Sequence, residues 1–141
     1  MNIEQHLSET LERFFQTQEG FTPPHLQESI RYSLLSPGKR IRPRLLLASG
    51  QMLDVPHQAL LPAAIAVEMV HCFTLIHDDL PCMDNDDFRR GIPTNHKKFG
   101  ESLALLAGDS LMALAIDVFL ESSLDSARLF QIFYDWWGFL V

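Results

Sequence analysis

His77-Asp78-Asp79-Leu80-Pro81-Cys82-Met83-Asp84-Asn85-Asp86-Asp87-Phe88-Arg89-Arg90-Gly91 is the stretch whose reading decides the rest. An apolar run with helical spacing precedes it, opened by Pro62 in a first turn, and the helix is expected to continue through His77. Pro81 ends such a helix, because proline lacks the backbone N–H and its ring clashes with the preceding turn. Two carboxylates therefore fall at a helix C-terminus and three more just beyond it. Helix C-termini carry partial negative charge, so this placement calls for a cation. Oxygen donors without a thiolate or imidazole majority suit a hard divalent ion. Mg²⁺ in particular takes one or two carboxylates together with phosphate oxygens. Residues seven apart lie about 20° from one another around a helix, so His71 and Asp78 share a face. A calcium-binding EF-hand loop does not fit: counted from Asp79, its obligatory Gly and Glu positions hold Asp84 and Arg90. A solvated acidic loop is the competing reading of the segment taken alone.

Upstream, Pro37-Gly38-Lys39-Arg40-Ile41-Arg42-Pro43-Arg44 sets four cations between and beside two prolines, which are expected to keep the backbone stiff and out of regular helix. Arginine forks grip phosphate bidentately and lysine adds a point charge. A nucleotide P-loop is excluded, because Ser33 stands at its first Gly, Arg40 at its Ser/Thr, and no strand precedes it. A plain basic surface patch competes with the phosphate reading. Arg89-Arg90 follows the carboxylates almost at once, and surface ion pairing would account for that pair alone. Taken together, the segments favour one ligand class, an anion held by metal on one side and guanidinium on the other.

The remaining sequence reads as helix. Leu7, Leu11, Phe14 and Phe15 form one amphipathic stripe ending near Gly20, and Leu26, Ile30, Leu34 and Leu35 form a second, closed by Ser36-Pro37-Gly38. A short apolar helix is expected over 45–53, a charged loop from Pro81 to about Gly100, and an apolar helix over 101–120. Strand signals are scarce and no Asn-Gly or Asp-Gly hairpin turn occurs. The reading is all-α, in one domain, without repeats.

Composition sets bounds on function. The 141 residues are 47% hydrophobic and 21% charged, with a net charge of −7, which argues against a nucleic-acid binder. Cys72 and Cys82 lack CxxC spacing, so neither a zinc ribbon nor a disulfide framework is suggested, and a reducing cytoplasm fits. The N-terminus has no basic segment followed by an apolar run, so no signal peptide is expected. The apolar stretch 103–120 contains Gly108, Asp109 and Asp117 and reads as a core helix rather than a membrane span.

His77-Asp78-Asp79 through Asp84, followed by Arg89-Arg90-Gly91, resembles the first aspartate-rich motif of the trans-prenyl diphosphate synthases, and Gly38-Lys39-Arg40-Ile41-Arg42-Pro43 resembles their upstream motif. His71, Lys98-Phe99-Gly100-Glu101 and Gly108-Asp109 match as well, so the resemblance covers roughly residues 25–120. It implies a partial helical bundle of the isoprenoid-synthase type that lacks the C-terminal helices. The implied activity is prenyl transfer, in which isopentenyl diphosphate condenses with an allylic diphosphate (dimethylallyl or geranyl). By the same resemblance, Asp78, Asp79 and Asp84 carry Mg²⁺, with Mn²⁺ as an alternative ion, and Asp78 and Asp84 are the firmest of the three. Arg89 binds the allylic diphosphate, and Lys39, Arg42, His71 and Arg90 hold isopentenyl diphosphate. Catalysis is electrostatic, through charge stabilisation on the departing diphosphate, and no nucleophile is required. Phe73, five positions before Asp78, closes the product tunnel and favours farnesyl over longer products, although a core aromatic is the ordinary reading of such a residue. The two extra residues, best placed at Pro81-Cys82, resemble both bacterial farnesyl (geranyltranstransferase) and plant-type geranylgeranyl synthases. A homodimer is implied for the full-length family member.

The family's distal Lys-Thr pair, second aspartate-rich motif and further lysine have no counterpart here. The expectation is thus a single truncated polyprenyl synthetase domain over 1–141, with an atypical tail at 129–141 and no activity in the isolated chain. Two alternatives are a non-catalytic partner subunit of a prenyltransferase and a fragment of a geranylgeranyl diphosphate synthase. A class I terpene cyclase shares the aspartate motif, but Gly38–Pro43 argues against it, since a cyclase binds no isopentenyl diphosphate.

Overall fold

Four-residue apolar spacing, helix-compatible prolines and runs of alanine shape the computed structural model, which describes residues 2–17 and 22–122 together with 125, 128, 131, 134 and 135. Helix α1 spans Ile3–Thr17 and buries Ile3, Leu7, Leu11 and Phe15 along one face, as their spacing dictates. Deleting one of these leucines leaves a cavity, so Leu11→Ala would destabilise by about 2–5 kcal/mol. Gly20, where that stripe was expected to end, lies outside the described residues. Helix α2, Pro24–Leu34, has proline in its first turn, where the missing N–H has no helical partner to lose.

Helix α3 spans Ile41–Met52 and so begins earlier than the apolar pattern indicated. Pro43 falls in its first turn, where no N–H···O bond is needed, so the proline that was expected to exclude helix permits it. Helix α4 runs His57–Asp78 with Pro62 inside it, again a start some residues upstream of the expected one. The charged segment after Pro81 is also more ordered than expected. Strands β1 (Phe88–Arg89) and β2 (Ile92–Pro93) pair antiparallel, with Arg89 opposite Ile92. Their two-residue turn has Arg90 at φ 54° and Gly91 at φ 81°, the double positive φ of a type I′ hairpin. A short helix α5, Asn95–Phe99, follows, and α6 spans Glu101–Leu120.

Helices α4 and α6 form the centre. Ala63, Ala64, Ala66, Ala104, Ala107 and Ala115 are all buried there, and such small side chains let the two axes come close. Each helix is long and apolar enough to cross a membrane, but both bury side chains in the shared core. Outward-facing Ile41, Leu45, Met52 and Leu53 on and after α3, and Leu105, Leu106 and Leu120 on α6, are exposed. The architecture is all-α apart from the small hairpin, as expected from the sequence. Of the tail 129–141, only Gln131, Tyr134 and Asp135 are described.

Candidate active site

Helix α4 is the spine of the site. Its last turns carry His71, Phe73, His77 and Asp78, and its C-cap residue is Asp79. The chain then folds back on the helix end: Leu80 N–H donates to the His77 carbonyl (3.1 Å), Met83 and Asn85 N–H to the Leu80 carbonyl (2.9 and 3.1 Å), and Asp84 N–H to the Asp78 carbonyl (2.8 Å). Buried Leu80 plugs this turn into the core, and Asn85 takes a positive φ of 54°, which asparagine tolerates. Asp78 and Asp84 are thereby joined through the backbone.

Asp79 behaves differently. It is buried, and both of its oxygens accept from Arg89 Nε at 2.8 Å, while Arg89 Nη2 donates to Oδ1 at 2.5 Å. That hydrogen bonding raises the Arg89 pKa above its already high ordinary value. Arg89 Nη2 also lies 3.5 Å from Asp86 Oδ2. The hairpin is anchored further by Thr94, whose hydroxyl donates to the Asp86 carbonyl at 2.8 Å.

The basic loop meets this assembly at two points. Arg42 Nη1 donates to His71 Nε2 at 3.2 Å, which requires a neutral imidazole. Burial first, and then the charges of Arg42, Arg90, Arg89 and Arg40, push the His71 pKa down to about 4. Arg90 Nη1 reaches the Pro37 carbonyl at 3.5 Å, and a Cβ on Gly38 would stand only 2.5 Å from the same nitrogen. The tip of the exposed Arg90 side chain thus lies directly against the Gly38 backbone. Lys39, Arg42 and Arg44 are exposed. Four expected diphosphate-binding side chains (Lys39, Arg42, His71, Arg90) thus sit on segments that touch one another, and Arg89 adjoins them. Arg40 does not join them; it is buried against Glu68. A cleft beside this junction is lined by Tyr32, Ser33, Cys72, Asp79, Arg89 and Arg90 among others. Burial pushes the Cys72 thiol up to about 12, so it is inert as a nucleophile at neutral pH.

Among the described residues, no three His, Cys, Asp or Glu side chains form a ready-made metal cage. Backbone-linked Asp78 and Asp84, half-buried and exposed respectively, still offer oxygen donors. Two carboxylates completed by phosphate oxygens are a donor set that suits Mg²⁺, so the residues fit the ion.

Phe73 is buried, and its ring meets the His77 ring edge-on at 5.7 Å. His77 in turn lies 3.1 Å from the Leu105 carbonyl and 3.8 Å from Asp109 Oδ1. A Cβ on Gly108 would come within 2.1 Å of His77 Nε2, so glycine there makes room for the ring.

Residues 23–137 match the polyprenyl synthetase family model. The chain belongs to the polyprenyl synthetase family. Farnesyl diphosphate synthase of Geobacillus stearothermophilus is 46% identical over 136 residues, covering 92% of this chain and 44% of that protein. Geranylgeranyl pyrophosphate synthase 7 of Arabidopsis thaliana, a chloroplastic protein, is 58% identical over 95 residues, covering 67% of this chain and 27% of its own length. Among solved structures, geranyltranstransferase from Thermotoga maritima superposes with a TM-score of 0.78 at 40% identity, over 95% of this chain and 50% of that one. This polyprenyl synthetase chain therefore spans about half the length, or less, of the relatives it matches. Both farnesyl- and geranylgeranyl-forming enzymes are among them, and both bacterial and chloroplastic proteins.

What sequence reasoning missed at the site is the division of labour within each charged cluster. A signal for part of it existed: Glu68 is the lone charge in Ala63-Ala64-Ile65-Ala66-Val67-Glu68-Met69-Val70 and therefore required a buried partner. Arg90-Gly91 between two short β-compatible pairs was a weaker hint of the hairpin.

Proposed function

We propose that this chain supplies the diphosphate-binding half of a prenyltransferase that condenses isopentenyl diphosphate with dimethylallyl or geranyl diphosphate to give farnesyl diphosphate. The observation that carries the reading is the meeting of the basic segment with α4 and with the hairpin that follows the aspartate turn, through Arg42 on His71 and Arg90 on Pro37. Lys39, Arg42, His71 and Arg90 hold the isopentenyl diphosphate, with neutral His71 acting as a hydrogen-bonding partner rather than a charge. Arg89 faces the allylic diphosphate, held in place by Asp79. Asp78 and Asp84 hold Mg²⁺ or Mn²⁺, with Asp79 completing the acidic wall. The ions supply charge neutralisation for the departing diphosphate. Phe73, against His77, narrows the space behind the aspartates and favours the shorter product. A cytoplasmic setting suits the two free cysteines, and a homodimer is the assembly proposed for the complete protein.

A second reading, geranylgeranyl diphosphate formation, is favoured by one observation. The Arabidopsis relative at 58% identity carries that name. Product analysis of the complete protein with labelled isopentenyl and geranyl diphosphates separates the two, since a C15 product supports the first and a C20 product the second. The site itself is tested by calorimetric titration of inorganic pyrophosphate with Mg²⁺. Asp78→Ala or Asp84→Ala is expected to abolish the metal-dependent binding, and unchanged binding in both variants would defeat the assignment.

A further inference from the structure

Of the four cations in the basic loop, Arg40 is the one that cannot touch a ligand. It is 3% exposed, and its guanidinium is already engaged. Nη1 donates to Glu68 Oε1 at 2.6 Å, and Nη2 donates to the carbonyls of Leu34 (2.9 Å) and Ser36 (2.7 Å). Leu34 ends α2, so its carbonyl has no partner within that helix and the arginine side chain supplies one. Arg40 is also the N-cap of α3, in the left-handed conformation at φ 48°, ψ 42°. A non-glycine residue held there costs on the order of 1–3 kcal/mol unless its surroundings enforce it. One residue thus ties the end of α2, the start of α3 and the middle of α4.

The contacts on α4 give this tie a consequence. Glu68 and His71 are three residues apart and share a helix face. Glu68 takes Arg40, and His71 takes Arg42. The first turn of α3 is therefore registered against α4 at two successive rungs, one closed to solvent and one open. Lys39 and Arg42, both exposed, flank the closed rung. We propose that Arg40 and Glu68 form a buried positioning pair that sets where Lys39 and Arg42 present their charges to diphosphate, without contacting the ligand themselves. The proposal rests on the diphosphate reading of the site.

Stability alone is a poor explanation for the pair. Replacing a buried ion pair by apolar side chains of similar size is often neutral or stabilising, because desolvation offsets the Coulomb attraction. Arg40 Nε also lies 3.7 Å from Glu4 Oε1, on an exposed side chain of α1.

The test is a calorimetric titration of inorganic pyrophosphate with Mg²⁺ into the full chain at fixed ionic strength. The doubly apolar variant Arg40→Met/Glu68→Met is expected to melt cooperatively near the wild-type temperature and to bind about tenfold more weakly or worse, the scale of a lost charge-assisted contact. Lys39→Ala is expected to weaken binding severalfold in the wild-type background and to change little in the double variant. A purely structural role would leave those two effects additive. A folded double variant that binds like wild type, or additive Lys39 effects, overturns the proposal. Should the double variant not fold, Arg40→Lys takes its place. Its ammonium is a point charge without the planar fork that meets Glu68 and the two carbonyls in fixed directions, so weaker binding by a stably folded Arg40→Lys is expected and unchanged binding overturns the proposal. Absence of any binding by wild type would sink the diphosphate reading, and this inference with it.

Discussion

Two charged segments pack on α4, the basic one along its middle and the acidic one at its C-terminal end, and each buries one of its own charges. In the basic loop the buried charge is Arg40, closed against Glu68 with both side chains at 1–2% exposure. In the acidic loop it is Asp79, at 4% side-chain exposure, closed against an Arg89 that is 31% exposed. The first pair is sealed and has no route by which a ligand could compete for it. The second is open on its cationic side, so Arg89 can keep its grip on Asp79 while turning spare donors toward an anion. The sealed pair leaves no donor facing solvent, and the half-open pair leaves guanidinium donors there.

The contrast can be broken first by Glu68→Ala. That change strands a buried guanidinium, and unfolding by denaturant is expected to show a loss of about 3–5 kcal/mol. Asp79→Ala strands a cation that water can reach, so the expected loss is smaller, about 1 kcal/mol. Equal losses would mean that the two pairs do not differ as described. The effect confined to acid pH concerns the open rung. His71 titrates at about 4 in the folded chain against an ordinary value of 6.5. Between those values the unfolded chain binds the extra proton. Stability from this residue is therefore full above pH 6.5 and declines as pH falls toward 4. Melting temperature measured across that window is expected to fall more steeply with acidification in wild type than in His71→Asn, and identical slopes would contradict the geometry.

How much of this was legible in the sequence depends on the period of the signal. Helix positions follow from four-residue apolar spacing, and Leu7, Leu11 and Ile30 are buried as their positions required. Helix starts were less legible because proline was read as a breaker at Pro43 and as an opener at Pro62. In fact one sits in the first turn of α3 and the other inside α4. The hairpin was invisible for a related reason: its type I′ turn uses Arg90-Gly91, and arginine at a positive φ is a choice that only tertiary contacts explain. The candidate site was legible as two segments of opposite charge, since Asp78, Asp84, Lys39 and Arg42 announce themselves by type and spacing. Which members of each cluster turn inward was not, because burial of Arg40 and Asp79 depends on partners 28 and 10 residues away in sequence.

The central claim is that the basic loop and the aspartate turn serve one diphosphate-bearing pocket. The most direct test is NMR of the chain with labelled arginine and histidine side chains, with Mn²⁺ in place of Mg²⁺ and inorganic pyrophosphate added. The Arg42 guanidinium and His71 ring signals are expected to broaden when Mn²⁺ and pyrophosphate are both present, and to stay sharp in Asp78→Ala. Broadening confined to the 78–87 turn, with Arg42 and His71 untouched, would contradict the account.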